Sequence, residues 1–166
     1  MGNRLMHYQA KPITFDRARV YEQVEKRASH TKPRGFWVSV EGEDDWPSWC
    51  RAEEVYQEAF GAAHEVRLAD TANIRLVTSV DEIDQFHNEF AAPTDFDIRY
   101  RYGIDHWVIN WPAVVGEYDG IIIAPYLWDR RLDGGCDWYY TWDCASGCIW
   151  NLAAIESVTL LSEVTQ

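Results

Sequence analysis

The chain has 166 residues, 47% of them apolar and 14% aromatic, with nine Trp and nine Tyr. That composition sustains one folded core and excludes intrinsic disorder. The formal net charge of −12 repels polyanions, which excludes a general nucleic-acid-coating role and leaves room only for a local basic site.

No apolar window approaches the ~20 residues of a membrane span. The opening MGNRLMHYQAKP lacks an apolar h-region, and Met6 stands where a myristoylation signal needs Ser or Thr. These features predict a cytoplasmic chain whose four cysteines are reduced thiols.

Leu5 to Gln9 reads as a first strand, closed by Lys11-Pro12. Phe15 to Ala28 reads as a helix or helical loop inside the most basic stretch, which runs from Lys11 to Arg34. A turn at Lys32-Pro33-Arg34-Gly35 leads to a strand from Phe36 to Val40. The acidic run Glu41, Glu43, Asp44 and Asp45 reads as a solvated loop. Pro47 suits the first turn of a helix from Trp46 to about Phe60.

Strands follow at His64 to Ala69 and Ile74 to Val77, and a Ser79/Glu82 capping box predicts a helix from Val80 to Phe90. Ala91 to Tyr102 reads as irregular, though Asp97 to Tyr102 suits a strand, and Asp105 caps a helix through Val115, bent or restarted at Pro112. Ile121 to Ile123, Cys148 to Trp150 and Ser157 to Val164 complete the strands. The expectation is an α+β fold of mixed or antiparallel split sheets with flanking helices, in one domain spanning 1–166.

Several familiar chemistries find no support. Cys144-x3-Cys148 supplies one metal-binding pair without a second, so idle thiols are the better reading than a zinc site. The Gly-x-Ser-x-Gly elbow, the P-loop and the Gly-x-Gly-x-x-Gly turn are all missing. Trp37 and Ser39 share one face of their strand, because strand side chains alternate. His7-Tyr8 lies on the first strand. Tyr126 to Trp142 forms a loop so rich in aromatics that it predicts a flat ligand or a partner to cover it.

Taken in order, His7-Tyr8, Gly35-Phe36-Trp37-Val38-Ser39, and Glu117-Tyr118-Asp119-Gly120-Ile121-Ile122 followed by Cys148-Ile149-Trp150-Asn151 resemble the motifs of the ADP-ribosyltransferase superfamily. The small phage- or prophage-encoded members are the nearest in kind. The resemblance implies NAD as cofactor, bound in a cleft between two sheets, and transfer of ADP-ribose to a protein or nucleic-acid target, in a host cytoplasm if the chain is phage-encoded. It implies that His7, Tyr8, Trp37, Tyr21 and Asn151 bind the cofactor and that Ser39 takes the second-strand position. The motif puts Ser146 where the family carries its catalytic Glu, which leaves Asp143, three residues earlier, or Asp119 as a replacement carboxylate. Two other readings stand beside this one. The first is a non-enzymatic acidic phage-type protein that binds and blocks a host factor. The second is a domain whose loop aromatics only seal its own core.

Overall fold

Short runs of β-branched and aromatic residues set the architecture in the computed structural model, which describes residues 3–24, 32–132 and 135–163. The strands are β1 (Leu5–Gln9), β2 (Phe36–Val40), β3 (Ala62–Leu68), β4 (Ile74–Val77), β5 (Ala91–Ala92), β6 (Val108–Ile109), β7 (Gly120–Ile123), β8 (Ser146–Ile149) and β9 (Ile155–Glu163). The helices are α1 (Trp46–Ala52), α2 (Val80–Phe90), α3 (Asp95–Tyr100), α4 (Trp111–Glu117) and α5 (Trp128–Arg131). Seven strands form one sheet in the order β4-β7-β8-β2-β1-β3-β9, and β5 pairs with β6 separately. Among the described residues only the β4–β7 pairing is parallel within the large sheet. The class is α+β in a single domain.

The ladder is uneven at its centre. β1 pairs β3 through five residues and β2 pairs β8 through four, but β1 and β2 share only Leu5↔Val40 and Met6↔Ser39. Past Met6 the two strands part, and the sheet forks. One leaf carries β4, β7, β8 and β2; the other carries β1, β3 and β9.

Burial explains why the leaves hold together. On one face α2 and α4 lay Phe86, Ile83 and Val114 against Ile121, Ile123 and Cys148. On the other, Phe36, Val38 and Ile149 pack with Val66, Leu152 and Ile155. Close approach at the β7–β8–β2 junction requires Gly147, where a Cβ would lie 2.6 Å from Ile122 Cγ1 and 2.7 Å from the Ile121 carbonyl oxygen.

Several sequence expectations are corrected. Residues 15–24 are not helical, and 25–28 fall outside the described residues. The helix expected to reach Phe60 stops at Ala52. Glu54 and Tyr56 adopt left-handed backbone (φ 56° and 52°), and a 3-10 turn, Gln57–Phe60, follows. The strand expected over Asp97 to Tyr102 is instead α3: Thr94 accepts from the Asp97 amide while the Asp97 carboxylate accepts from the Thr94 amide. That capping box outweighs the alternation of Ile98, Tyr100 and Tyr102. The helix expected from Asp105 to Val115 divides into a 3-10 turn, β6 and α4, because Pro112 fits a first turn and not a helix interior. The last strand begins at Ile155, and Val164 lies outside the described residues.

The aromatic loop is the largest correction. Tyr126, Trp138, Tyr139 and Trp142 are no more than 4% exposed. Trp138 meets Phe86 and Trp111 edge-on, and the Tyr139 hydroxyl accepts from the Leu127 amide at 2.9 Å. The loop is tied at both ends to central strands, β7 and β8, and folds back to finish the main core. The protein itself covers these four rings, while Trp128 and Tyr140 of the same loop stay 57% and 51% exposed.

Candidate functional site

The fork brings distant residues together. The His7 ring spans it: its Nδ1–H donates to the Trp37 carbonyl at 2.8 Å, where a β1–β2 ladder bond would otherwise form. That bond fixes the tautomer, because a carbonyl only accepts. The ring stacks on Phe36 at 4.2 Å. Burial pushes the His7 pKa below its ordinary value of 6.5, against the opposing pull of the Trp37 carbonyl, and His64 lowers it further. The neutral ring therefore keeps a lone pair on Nε2, for which the described residues offer no donor.

His64 lies behind it. Its Nδ1–H donates to the His7 carbonyl at 3.3 Å, and its Nε2 accepts from the Ile13 amide at 3.2 Å. Both nitrogens are used, so His64 is a structural strut for β1.

Two cavities open at the fork, and His7, Gln9 and Trp37 belong to both. The first has a volume of about 410 Å³, and Tyr8, Ser39, Trp46, Lys32, Asp143 and Ser146 line it. The second has about 360 Å³, and Phe15, Arg19, Tyr21 and Phe36 line it. Each falls in the ~300–1,000 Å³ range of small-molecule sites. Both border one sheet; no residue of the β5–β6 pair lines either.

His7, Tyr8, Trp37, Ser39, Asp143 and Ser146, singled out from the sequence, thus meet at the first cavity. Tyr21 stands in the second, with the Arg19 guanidinium 4.8 Å above its ring. Asn151 lies apart from both: its amide donates to Asp119 Oδ1 at 2.6 Å, and its own Oδ1 accepts from the Ala153 amide. Asp119 is likewise committed, accepting from the Asn73 amide at 2.8 Å. That pair shapes the turns before β7 and after β8.

The two serines are cross-strand neighbours, Ser39↔Ser146. Ser39 Oγ accepts from the Trp46 amide at 2.9 Å, which docks the start of α1 on the sheet. Ser146 Oγ donates to the Cys144 carbonyl at 2.9 Å. Asp143 is the carboxylate of the first cavity: Lys32 Nζ lies 3.4 Å from its Oδ2 and Arg131 4.0 Å from its Oδ1.

Trp46 and Lys32 were not singled out from the sequence. Trp46 stacks on Trp49 at 5.1 Å and on Tyr56 at 5.6 Å, forming an aromatic wall at the cavity rim. Trp37 is backed by Trp142 at 4.9 Å, a buried ring that holds it in place. Cys144 and Cys148, next to the cavity and on β8, are poor nucleophiles. Burial pushes Cys144 up to about 12 and Cys148 well above its ordinary value, so the reactive thiolate is suppressed. Among the described residues, no three His, Cys, Asp or Glu side chains gather as a metal site, and no helix is long and apolar enough to cross a membrane. No protein-family model, curated protein or solved structure matches the chain.

Proposed function

We propose that the fork binds a dinucleotide of the NAD class and that the chain is an ADP-ribosyltransferase-like protein. One observation carries the reading. The motif residues of β1 and β2, far apart in sequence, converge on one fork with Asp143, a carboxylate from the loop before β8, at its edge. Two cavities of similar size share a wall at His7, Gln9 and Trp37, an arrangement suited to a ligand with two flat ends. The nicotinamide riboside end takes the first cavity, between Trp37, Tyr8 and Trp46. The adenine end takes the second, against Tyr21 and Phe15, with Arg19 for a phosphate. The His7 lone pair accepts from a ribose hydroxyl.

In this reading Asp143 supplies the negative charge that Ser146 lacks. As the bond between ribose C1′ and the nicotinamide nitrogen breaks, its electron pair leaves with nicotinamide and positive charge builds on the ribose ring. A fixed carboxylate stabilises that charge. A nucleophile from water or a target then bonds to C1′ and releases its proton.

Thermal unfolding with NAD tests the binding. A ligand at 100 times its Kd adds about 2.7 kcal/mol, or roughly 5–10 °C in a domain of this size. Asp143→Asn is expected to reduce the shift without abolishing it and to lose nicotinamide release. No shift with NAD, ADP-ribose or nicotinamide at millimolar concentration overturns the proposal.

A non-enzymatic interaction protein is the second reading, and one surface favours it. Phe96, Ile98, Tyr100 and Tyr102 on and after α3 are 44–64% exposed. Phe96 packs on Tyr100 at 4.5 Å, and Arg99 and Arg101 flank them without a carboxylate partner among the described residues. Tyr and Arg in such a patch are the usual anchors of a protein interface. Capture of a host protein by the wild type but not by Tyr100→Ser, in a chain without NAD turnover, would replace the first reading with this one.

A further inference from the structure

Lys32 enters the first cavity from the turn before β2. Its Nζ lies 5.4 Å from the centroid of the Trp37 ring and 3.4 Å from Asp143 Oδ2. A cation over an indole face and beside a carboxylate is held by two attractions that act on charge and not on shape. Trp142 packs against the Trp37 ring at 4.9 Å and backs it. Trp46, stacked on Trp49 and Tyr56, adds a second aromatic ring to the cavity wall. An indole face beside a carboxylate is a seat for an organic cation, and the chain's own ammonium lies there.

We infer that the first cavity is a subsite for a flat or quaternary organic cation, a pyridinium head in particular, and that Lys32 is a built-in stand-in that the ligand displaces. The inference deepens the dinucleotide reading and rests on it for the natural ligand, since the oxidised nicotinamide ring carries the charge and the reduced ring is neutral. Displacement is cheap. The Lys32 and Asp143 side chains are 39% and 26% exposed, and an ion pair that wet is weak. The released ammonium finds water, while the incoming ring takes both the indole face and the carboxylate. Arg131, 4.0 Å from Asp143 Oδ1 and 5.7 Å from the Trp128 ring, stays to hold the carboxylate in place. The site thus selects the oxidised cofactor before any bond is broken.

The test uses two small probes that differ in charge, 1-methylnicotinamide and neutral nicotinamide, titrated calorimetrically into the wild type, Lys32→Met and Asp143→Asn. The wild type is expected to prefer the cation. Lys32→Met is expected to bind it about 5- to 10-fold more tightly, because one competing cation–π contact and one ion pair are gone. Asp143→Asn is expected to bring the two probes close to parity. Lys32→Met that binds the cation no better than the wild type overturns the inference, as does equal binding of the two probes or binding of neither. A parallel titration with NAD and its reduced form separates the two proposals. Preference for 1-methylnicotinamide with no NAD binding upholds the cation subsite and removes the dinucleotide. NAD and its reduced form bound alike uphold the dinucleotide and remove the cation subsite.

Discussion

Two aromatic-rich stretches of this chain have opposite fates. Tyr126, Trp138, Tyr139 and Trp142 of the β7–β8 loop are buried, with only Trp128 and Tyr140 of its described aromatics left at the surface, whereas Phe96, Tyr100 and Tyr102 all stand in solvent. Composition does not separate them; connectivity does. The first stretch bridges β7 and β8, two fully buried central strands, and must cross over the core to do so. The second lies on a one-and-a-half-turn helix closed by its own capping box, with the small β5–β6 pair on either side of it in sequence. The fork aromatics lie between these extremes. Trp37, Trp46 and Tyr8 are half-buried, which is the condition in which a ring can be both held and offered.

The contrast breaks first at Trp142. Trp142→Ala removes a ring that packs on Trp37, Trp111 and Trp138, and is expected to destabilise by about 3–5 kcal/mol in urea unfolding. A loss below about 1 kcal/mol would return this loop to the surface. Gly147→Ala, which drives a methyl into Ile122 and the Ile121 carbonyl, is expected to cost about 1–3 kcal/mol.

His7 gives a smaller, pH-shaped effect. Its folded pKa lies below the ordinary 6.5, so the unfolded chain takes up the proton first as pH falls. Its contribution is whole above pH 6.5 and is lost as pH drops from there toward the folded value. A pH series of unfolding midpoints is expected to decline across that window in the wild type and to flatten in His7→Gln. An unchanged profile in the variant would remove burial as the cause. Last, Phe96→Ser and Tyr100→Ser are expected to change stability by no more than about 0.5 kcal/mol, since neither ring enters the core. A larger loss by the same unfolding assay would mean that α3 is part of the fold and not an offered surface.

The sequence carried part of this and not the rest, for physical reasons. β1, β2, β4 and β7 announce themselves because strand alternation or an unbroken Ile run is local. α2 does so because Ser79 accepts from the Glu82 amide within one turn. Even there the Glu82 carboxylate turns to the Thr78 amide and hydroxyl in place of closing the box on Ser79. α3 was hidden because its cap is one residue, Thr94, in front of a stretch that alternates like a strand. The convergence of His7, Trp37, Ser39 and Asp143 follows from strand order, and motif positions on neighbouring strands could suggest it. Lys32 and Trp46 were not legible, because what places them is the reach of a side chain across the fork, 111 residues from Lys32 to Asp143, and no spacing encodes that.

The uneven β1–β2 ladder also bears on how the chain is made. The leaf of β1, β3 and β9 draws on residues 5–9, 62–68 and 155–163. During synthesis β1 and β3 can pair early, but their outer edge stays open until residue 163 has emerged. The other leaf waits almost as long, because β8 must arrive before β2 and β7 have a common neighbour. Half-built chains therefore expose two unpaired edges at once, joined by two rungs. Such contacts, distant along the chain, make for slow folding. The junction that opens a binding cleft in the finished molecule is, on the ribosome, the place where the nascent sheet has the fewest bonds to hold it.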